Sequence, residues 1–340
     1  MKSFPDILGN RELCLRLAED IERKALSHAY IIEGAKGSGK HTLALRIAAA
    51  LSCESENGDI PCGICPTCRK ILSGKSPDVI FVKKEDGKAQ LGVDVIRELR
   101  NDVVVFPNDL EKKVYIIEDA HIMNPQAQNA FLLTLEEPPS FVHFLLLCES
   151  SKPLLDTIKS RAPILRMTPL SGKMLEDELL LRSDEARKLR ETSPDEFCEI
   201  IKLSEGYLGR ALELLNEKTR APILEMRRTA REFLALLLKQ KIDSENVKAL
   251  QSLPQKRDEL LGQLEEIEKA VRDLIVLKKS EGAPLCFFTK EEDAEELSYG
   301  IKISKLLSIL QNAEKAKKSL EANANVRLTA YEFAINCEII

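Results

Sequence analysis

The sequence predicts an α/β fold, a parallel sheet with flanking helices, that gives way to an all-helical remainder. Two short apolar runs, Val114-Tyr115-Ile116-Ile117 and residues 141–148, have the length of strands buried on both faces of a parallel sheet. A third run, Ala29-Tyr30-Ile31-Ile32-Glu33, passes through a glycine-rich loop into a helical stretch at 43–51. Past Pro169-Leu170 the strand-like runs stop and apolar residues recur at three- and four-residue steps.

Taken in order, the elements follow from spacing and punctuation. Leu13, Leu17, Ile21 and Ala25 step by four and predict a helix within 4–27. After the strand at 29–33 comes Gly34-Ala35-Lys36-Gly37-Ser38-Gly39-Lys40-His41-Thr42, in the strand–loop–helix context of a phosphate loop. Gly34, Gly37 and Gly39 let backbone N–H groups curl around phosphate oxygens, and the helix N-terminus adds partial positive charge. Lys40 would reach the β and γ phosphates. The competing reading is a glycine-rich turn without a ligand. The residue after the lysine should be Ser or Thr, whose hydroxyl ligates magnesium; here it is His41. Thr42 lies about 100° further around the helix, and an imidazole is a poor magnesium ligand.

Residues 77–82 predict the next strand and 93–104 a helix with Val93, Ile96, Leu99 and Val103 on one face. The run at 114–117 ends in two carboxylates, Glu118 and Asp119, at the strand end where open α/β sheets place ligands. A helix follows, with Asn124 as N-cap and Pro125 at its first position. It stops at Leu135-Glu136-Glu137-Pro138-Pro139 because proline cannot continue it. After 141–148 the segment closes on Ser160-Arg161-Ala162. In the last third, Leu260, Leu264, Ile267, Val271 and Leu274 form one apolar stripe, Lys278-Lys279-Ser280-Glu281-Gly282 reads as a stop, and 303–320 and 326–335 predict two further helices.

Cys53, Cys62, Cys65 and Cys68 are spaced C-x8-C-x2-C-x2-C, which suits one tetrahedral zinc at four sulfurs. A closed four-cysteine site has no open position for substrate, so the metal is expected to be structural. Cys14, Cys148, Cys198, Cys286 and Cys337 lack such spacing and are expected as small core residues.

At 340 residues, 44% apolar and 31% charged, the chain is of a length for two or three domains and has a globular composition. Its 50 basic and 55 acidic residues leave no global electrostatic footprint for nucleic acid. The N-terminus lacks the apolar core of a signal peptide, and no run approaches the ~18 to 20 apolar residues that span a bilayer. Nine cysteines, an odd number without an export signal, speak against a disulfide framework. A cytoplasmic location without membrane contact is expected.

The stretch IIEDAHIMNPQAQNAFLLTLEEPP, followed by TIKSR, closely resembles the clamp-loader subunits of bacterial DNA polymerase III, AAA+ proteins that open the sliding clamp and place it on primed DNA. The cysteine spacing just after the phosphate-loop helix resembles that family too. The resemblance implies a P-loop AAA+ domain over 1–168 with a zinc module inserted at 53–68, a small helical lid at 169–218, and an all-α collar at 219–340 that holds five subunits in a ring.

Four nucleotide-handling positions depart from the family pattern. His41 replaces the metal-binding hydroxyl. The acids read Glu118-Asp119 where the family has Asp-Glu. Cys148-Glu149 stands where Thr or Asn is usual, and Gly209 takes the place of the lid arginine that senses the γ phosphate, with Arg210 displaced by one. ATP or ADP at the loop is compatible with the motif, whereas magnesium-assisted hydrolysis is not favoured. Ser160-Arg161 keeps the family's motif, with Ala162 in place of cysteine, so Arg161 is expected to act as an arginine finger on a neighbouring subunit's ATP. This profile resembles the delta-prime (stator) type. The implied partners are gamma/tau and delta subunits in a hetero-pentameric ring, the sliding clamp, and primed DNA through the assembled complex. A gamma/tau-type ATPase motor is the nearest alternative, and a stand-alone P-loop enzyme a second.

Overall fold

The computed structural model describes residues 4, 6–55, 60–238, 254–280 and 285–337. The remaining stretches of the expected zinc module and collar, the first three residues, and Glu281 and Gly282 of the expected helix stop lie outside the described residues.

The chain divides into two compact units, 1–178 with 206–210, and 179–205 with 211–340. The first is built on a parallel sheet of five strands, β1 (Ala29–Glu33), β2 (Val79–Val82), β3 (Lys113–Ile117), β4 (Val142–Cys148) and β5 (Ile164–Arg166), in the order β2-β3-β4-β1-β5. Alternate residues serve opposite faces, which is the period-two rule of a strand. Ile31, Tyr115, Phe144 and Leu146 pack beneath α4 (Val93–Val103) and α5 (Pro125–Glu136). Ile32, Val114, Ile116, Leu145 and Leu147 pack with α1 (Arg11–Glu22), α2 (Lys40–Leu51) and α3 (Pro66–Leu72). β3 and β4 are buried along their whole length, as the unbroken apolar runs require. Asn124 caps α5 by accepting from the Ala127 N–H at 2.8 Å, with Pro125 opening the helix.

Several short elements were missing from the sequence reading, among them β5, whose three residues give no periodic signal, α3 within the cysteine module, and the short helix α6 (Asp156–Lys159). The first helix is also shorter than its stripe. It ends at Glu22, and Lys24 turns the chain with a left-handed φ of 50°, so Ala25 lies beyond it.

The second unit is helical. α7 (Gly172–Arg182) straddles the division, as does α10 (Leu208–Leu215); the others are α8 (Asp184–Thr192), α9 (Pro194–Leu203), α11 (Glu217–Leu238), α12 (Arg257–Lys279), α13 (Glu291–Ser298), α14 (Ile303–Glu321) and α15 (Val326–Asn336). The stripe Leu260, Leu264, Ile267, Val271 and Leu274 is buried on α12, in a core shared with Phe233, Leu306 and Phe333. The buried Asp273 carboxylate accepts the backbone N–H groups of Cys286, Phe287 and Phe288, fixing the loop beside α12. Two cysteine expectations are corrected. Cys198 is exposed, because it sits one residue off the buried face Phe197, Ile200 and Leu203 of α9, and Cys286 is only half-buried. Among the described residues no helix is long and apolar enough to cross a membrane.

Candidate functional site

β1 and β3 are separated by β4, and both deliver their ends to the same edge of the sheet. There β1 runs into the glycine loop and then α2, whose N-cap Gly39 is left-handed at φ 93°. Lys40 is buried, and its ammonium donates to the carbonyls of Gly34 at 2.5 Å and Ala35 at 3.0 Å. Burial pushes its pKa down, while the carboxylates of Glu149 and Asp119 pull it back up. At the crest of the loop, Gly209 N–H donates to the Gly37 carbonyl at 3.0 Å. A Cβ on Gly37 would meet the Arg210 nitrogen at 2.4 Å, and one on Gly209 the Gly37 oxygen at 2.8 Å. Two glycines are therefore what lets these backbones touch. Gly209 therefore lies against the glycine-rich loop and presents no side chain to it.

The acid pair is the other half of the site. Glu118 N–H donates to the Val82 carbonyl at 2.9 Å, continuing the β2–β3 ladder one step beyond the strands. That step sets Glu118 beside Lys83, whose ammonium lies 3.1 Å from Glu118 Oε1. His41 Nε2 lies 3.3 Å from the same oxygen. The next residue, Asp119, has a left-handed φ of 48°, an uncommon conformation outside glycine. Thr42 is half-buried on the following helical position. Sequence reasoning missed Lys83. The available signal was a basic residue directly past a buried strand that pairs with the acid-tipped one.

At the end of β4, Cys148 is fully buried and desolvation pushes its thiol up to about 12, so it stays neutral at the sheet edge. Beside it an open cleft of about 500 Å³ is lined by Glu33, Gly34, Ala35, Glu149, Arg166 and Tyr207. Glu33 accepts from Ser151 Oγ at 2.7 Å and has Arg166 Nε at 3.6 Å.

Arg161 follows α6 on the surface. Its guanidinium donates to the Thr157 carbonyl at 2.9 Å, the Ser160 hydroxyl at 3.3 Å and Glu136 Oε1 at 2.9 Å. Among the described residues these partners are Thr157, Ser160 and Glu136, none of them in the chain's own loop or acid pair. Ala162 is fully buried in the core beneath α5, which suits the small side chain found there.

The four cysteines come together as their spacing predicts. Their sulfurs lie within 4.8 Å of one another, against about 3.8 Å expected between sulfurs bound tetrahedrally to one zinc. Cys65 caps α3, accepting from the Cys68 N–H at 3.3 Å, and Cys62 accepts from the Cys65 N–H at 3.3 Å. The Cys65 N–H is the main cause that lowers the Cys62 thiol to about 6, whereas desolvation raises Cys53 and Cys68. The donor set fits a structural zinc. Magnesium fares otherwise at Glu118: it demands oxygen ligands in octahedral array, and here a nitrogen stands in the place of the hydroxyl after Lys40 while an ammonium shares the acid's oxygen. That donor set does not fit the metal.

Residues 9–171 match the family model described as DNA polymerase III, delta subunit. A DNA polymerase III subunit delta' of Bacillus subtilis is 40% identical over 168 residues, 48% of this chain and 49% of that protein. The subunit tau of Escherichia coli is 31% identical over 216 residues, covering 64% of this chain and 33% of its own length. A solved DNA polymerase III gamma subunit-related protein of Thermotoga maritima aligns with 95% of this chain and 98% of its own at 20% identity, with a TM-score of 0.44. The chain spans less than half the length of these two curated relatives. The matched residues 9–171 contain the loop, the cysteine module and the acid-tipped strand, and through this segment the chain belongs to the family of DNA polymerase III clamp-loader subunits.

Proposed function

We propose that the chain is a clamp-loader subunit of DNA polymerase III, cytoplasmic, and of the delta-prime (stator) type. In this reading it stands in a hetero-pentameric ring with gamma/tau and delta subunits, helps place the sliding clamp on primed DNA, and hydrolyses no ATP itself. A nucleotide would lie on Gly34, Gly37, Gly39 and Lys40, zinc on Cys53, Cys62, Cys65 and Cys68, and Arg161 would serve a neighbour's ATP. The AAA+ domain, lid and collar would divide near 168 and 218.

The observation that carries the reading is Glu118 Oε1, shared by Lys83 at 3.1 Å and His41 at 3.3 Å. A carboxylate so engaged is poorly placed to organise metal or to prepare water, and hydrolysis needs both. The gamma/tau motor is the second reading, favoured by 37% identity to the tau subunit of Bacillus subtilis over 158 residues.

Magnesium-dependent ATP turnover by the zinc-loaded chain, alone and with primed DNA, separates the two. The stator reading expects no turnover above buffer. Turnover that vanishes in Lys40→Ala would make the chain a motor and overturn it.

A further inference from the structure

We infer that Lys83 and His41 take the place of the divalent cation at Glu118, so that the loop binds a nucleotide's polyphosphate without magnesium. The inference rests on the reading of the loop as a nucleotide site and deepens it.

Three features of the fold support it. The β2–β3 register forces Lys83 and Glu118 to be neighbours, since Val82 pairs with Ile117 and each next residue steps off the same sheet edge. His41 follows Lys40 directly and occupies the first turn of α2, so it reaches the acid from the loop side. Both nitrogens meet one oxygen. An exposed lysine pair is weak by itself; what decides is that the hydroxyl a metal needs has become a nitrogen while an ammonium holds Glu118, the first acid of the pair.

The charges facing the loop suit the same reading. Lys40 lies inside it, Lys83 stands at its acid edge, and Glu118, Asp119 and Glu149 oppose them, with the His41 ring a further nitrogen beside Glu118. An ammonium is a compact charge with three donors that can turn toward phosphate oxygens, which is the role magnesium fills when it bridges β and γ oxygens. Lys83 supplies that charge from the chain itself.

The test is calorimetric titration of the zinc-loaded chain with ADP and with a non-hydrolysable ATP analogue, in buffer stripped of divalent ions and again with excess magnesium. Binding is expected without metal, and magnesium should leave it equal or weaker. In the Lys83→Ala, His41→Ser double variant, magnesium should tighten binding at least about tenfold, a change of about 1.4 kcal/mol. Wild-type binding that tightens tenfold with magnesium would overturn the inference while leaving the nucleotide site intact. Absence of binding in both buffers, with Lys40→Ala indistinguishable from wild type, would remove the nucleotide site and the inference together.

Discussion

His143 shows how one side chain in the sheet reports on the whole first unit. It is buried on β4, its Nδ1 lies 3.2 Å from the Ser27 carbonyl, and desolvation lowers its pKa from 6.5 to about 4. Nearby Lys112 and His28 push the same way. The folded state therefore binds fewer protons than the unfolded one between these values, and stability rises with pH through that window. Lowering the pH from 7 to 5 should cost about 2 kcal/mol through this group, at about 1.4 kcal/mol per unit. Denaturant unfolding at the two pH values checks it: His143→Gln should lose markedly less stability than wild type over that interval. Equal losses would mean that the ring titrates normally in the fold. Glu118 is the counterpart at the site, where the partners rather than burial set the chemistry, and neither partner is adjacent to it in sequence.

Elements follow their sequence signals most closely where the signal is local. The N-cap at Asn124, the α12 stripe and the cysteine spacing each concern residues within a few positions of one another, and all three hold in the structure. What escaped needed knowledge of partners far along the chain: β5 is a strand because β1 accepts it, Lys83 meets Glu118 through sheet register, and the Gly209 N–H finds the Gly37 carbonyl 172 positions away. The zinc module makes the element scale testable. α3 has seven residues, too few to hold as a helix alone, and its start is fixed by Cys65 and Cys68. One zinc per chain is expected by elemental analysis. Its removal should lower stability by about 4 kcal/mol relative to zinc held a thousandfold above its Kd, with proteolysis appearing at 53–72. Cys68→Ser should do the same, and Cys198→Ser, at an exposed site, should not. An unchanged unfolding midpoint after complete chelation would contradict the structural role. Metal uptake should also release protons and weaken in acid, because the desolvated Cys53 and Cys68 thiols must ionise to bind.

At the scale of the whole molecule, the proposed role divides the chain's chemistry between a self-engaged site and an outward-facing one. The loop, its lysine and Glu118 are satisfied by groups of the same unit, whereas Arg161 is displayed at the surface and braced by Glu136 and the Thr157 carbonyl. Bracing matters because a flexible arginine loses more entropy on binding than one already oriented. A guanidinium stabilises charge on a transferred phosphoryl group through its planar fork of donors, which an ammonium cannot copy. The prediction concerns a partner's reaction. In an assembled ring with gamma/tau and delta subunits, Arg161→Ala and Arg161→Lys should both cut DNA-stimulated ATP turnover at the adjoining site by about a hundredfold or more. The variant chain should fold as wild type, since Arg161 contributes only exposed contacts. Glu136→Gln removes a charge from the brace but leaves the fork intact, so it should weaken turnover less than either arginine change. A full rate in both Arg161 variants, with ring assembly verified by mass, would show that this arginine serves no neighbour. Loss of assembly instead would assign it to the interface rather than to the chemistry, so the mass of the ring formed by each Arg161 variant is what separates those two roles.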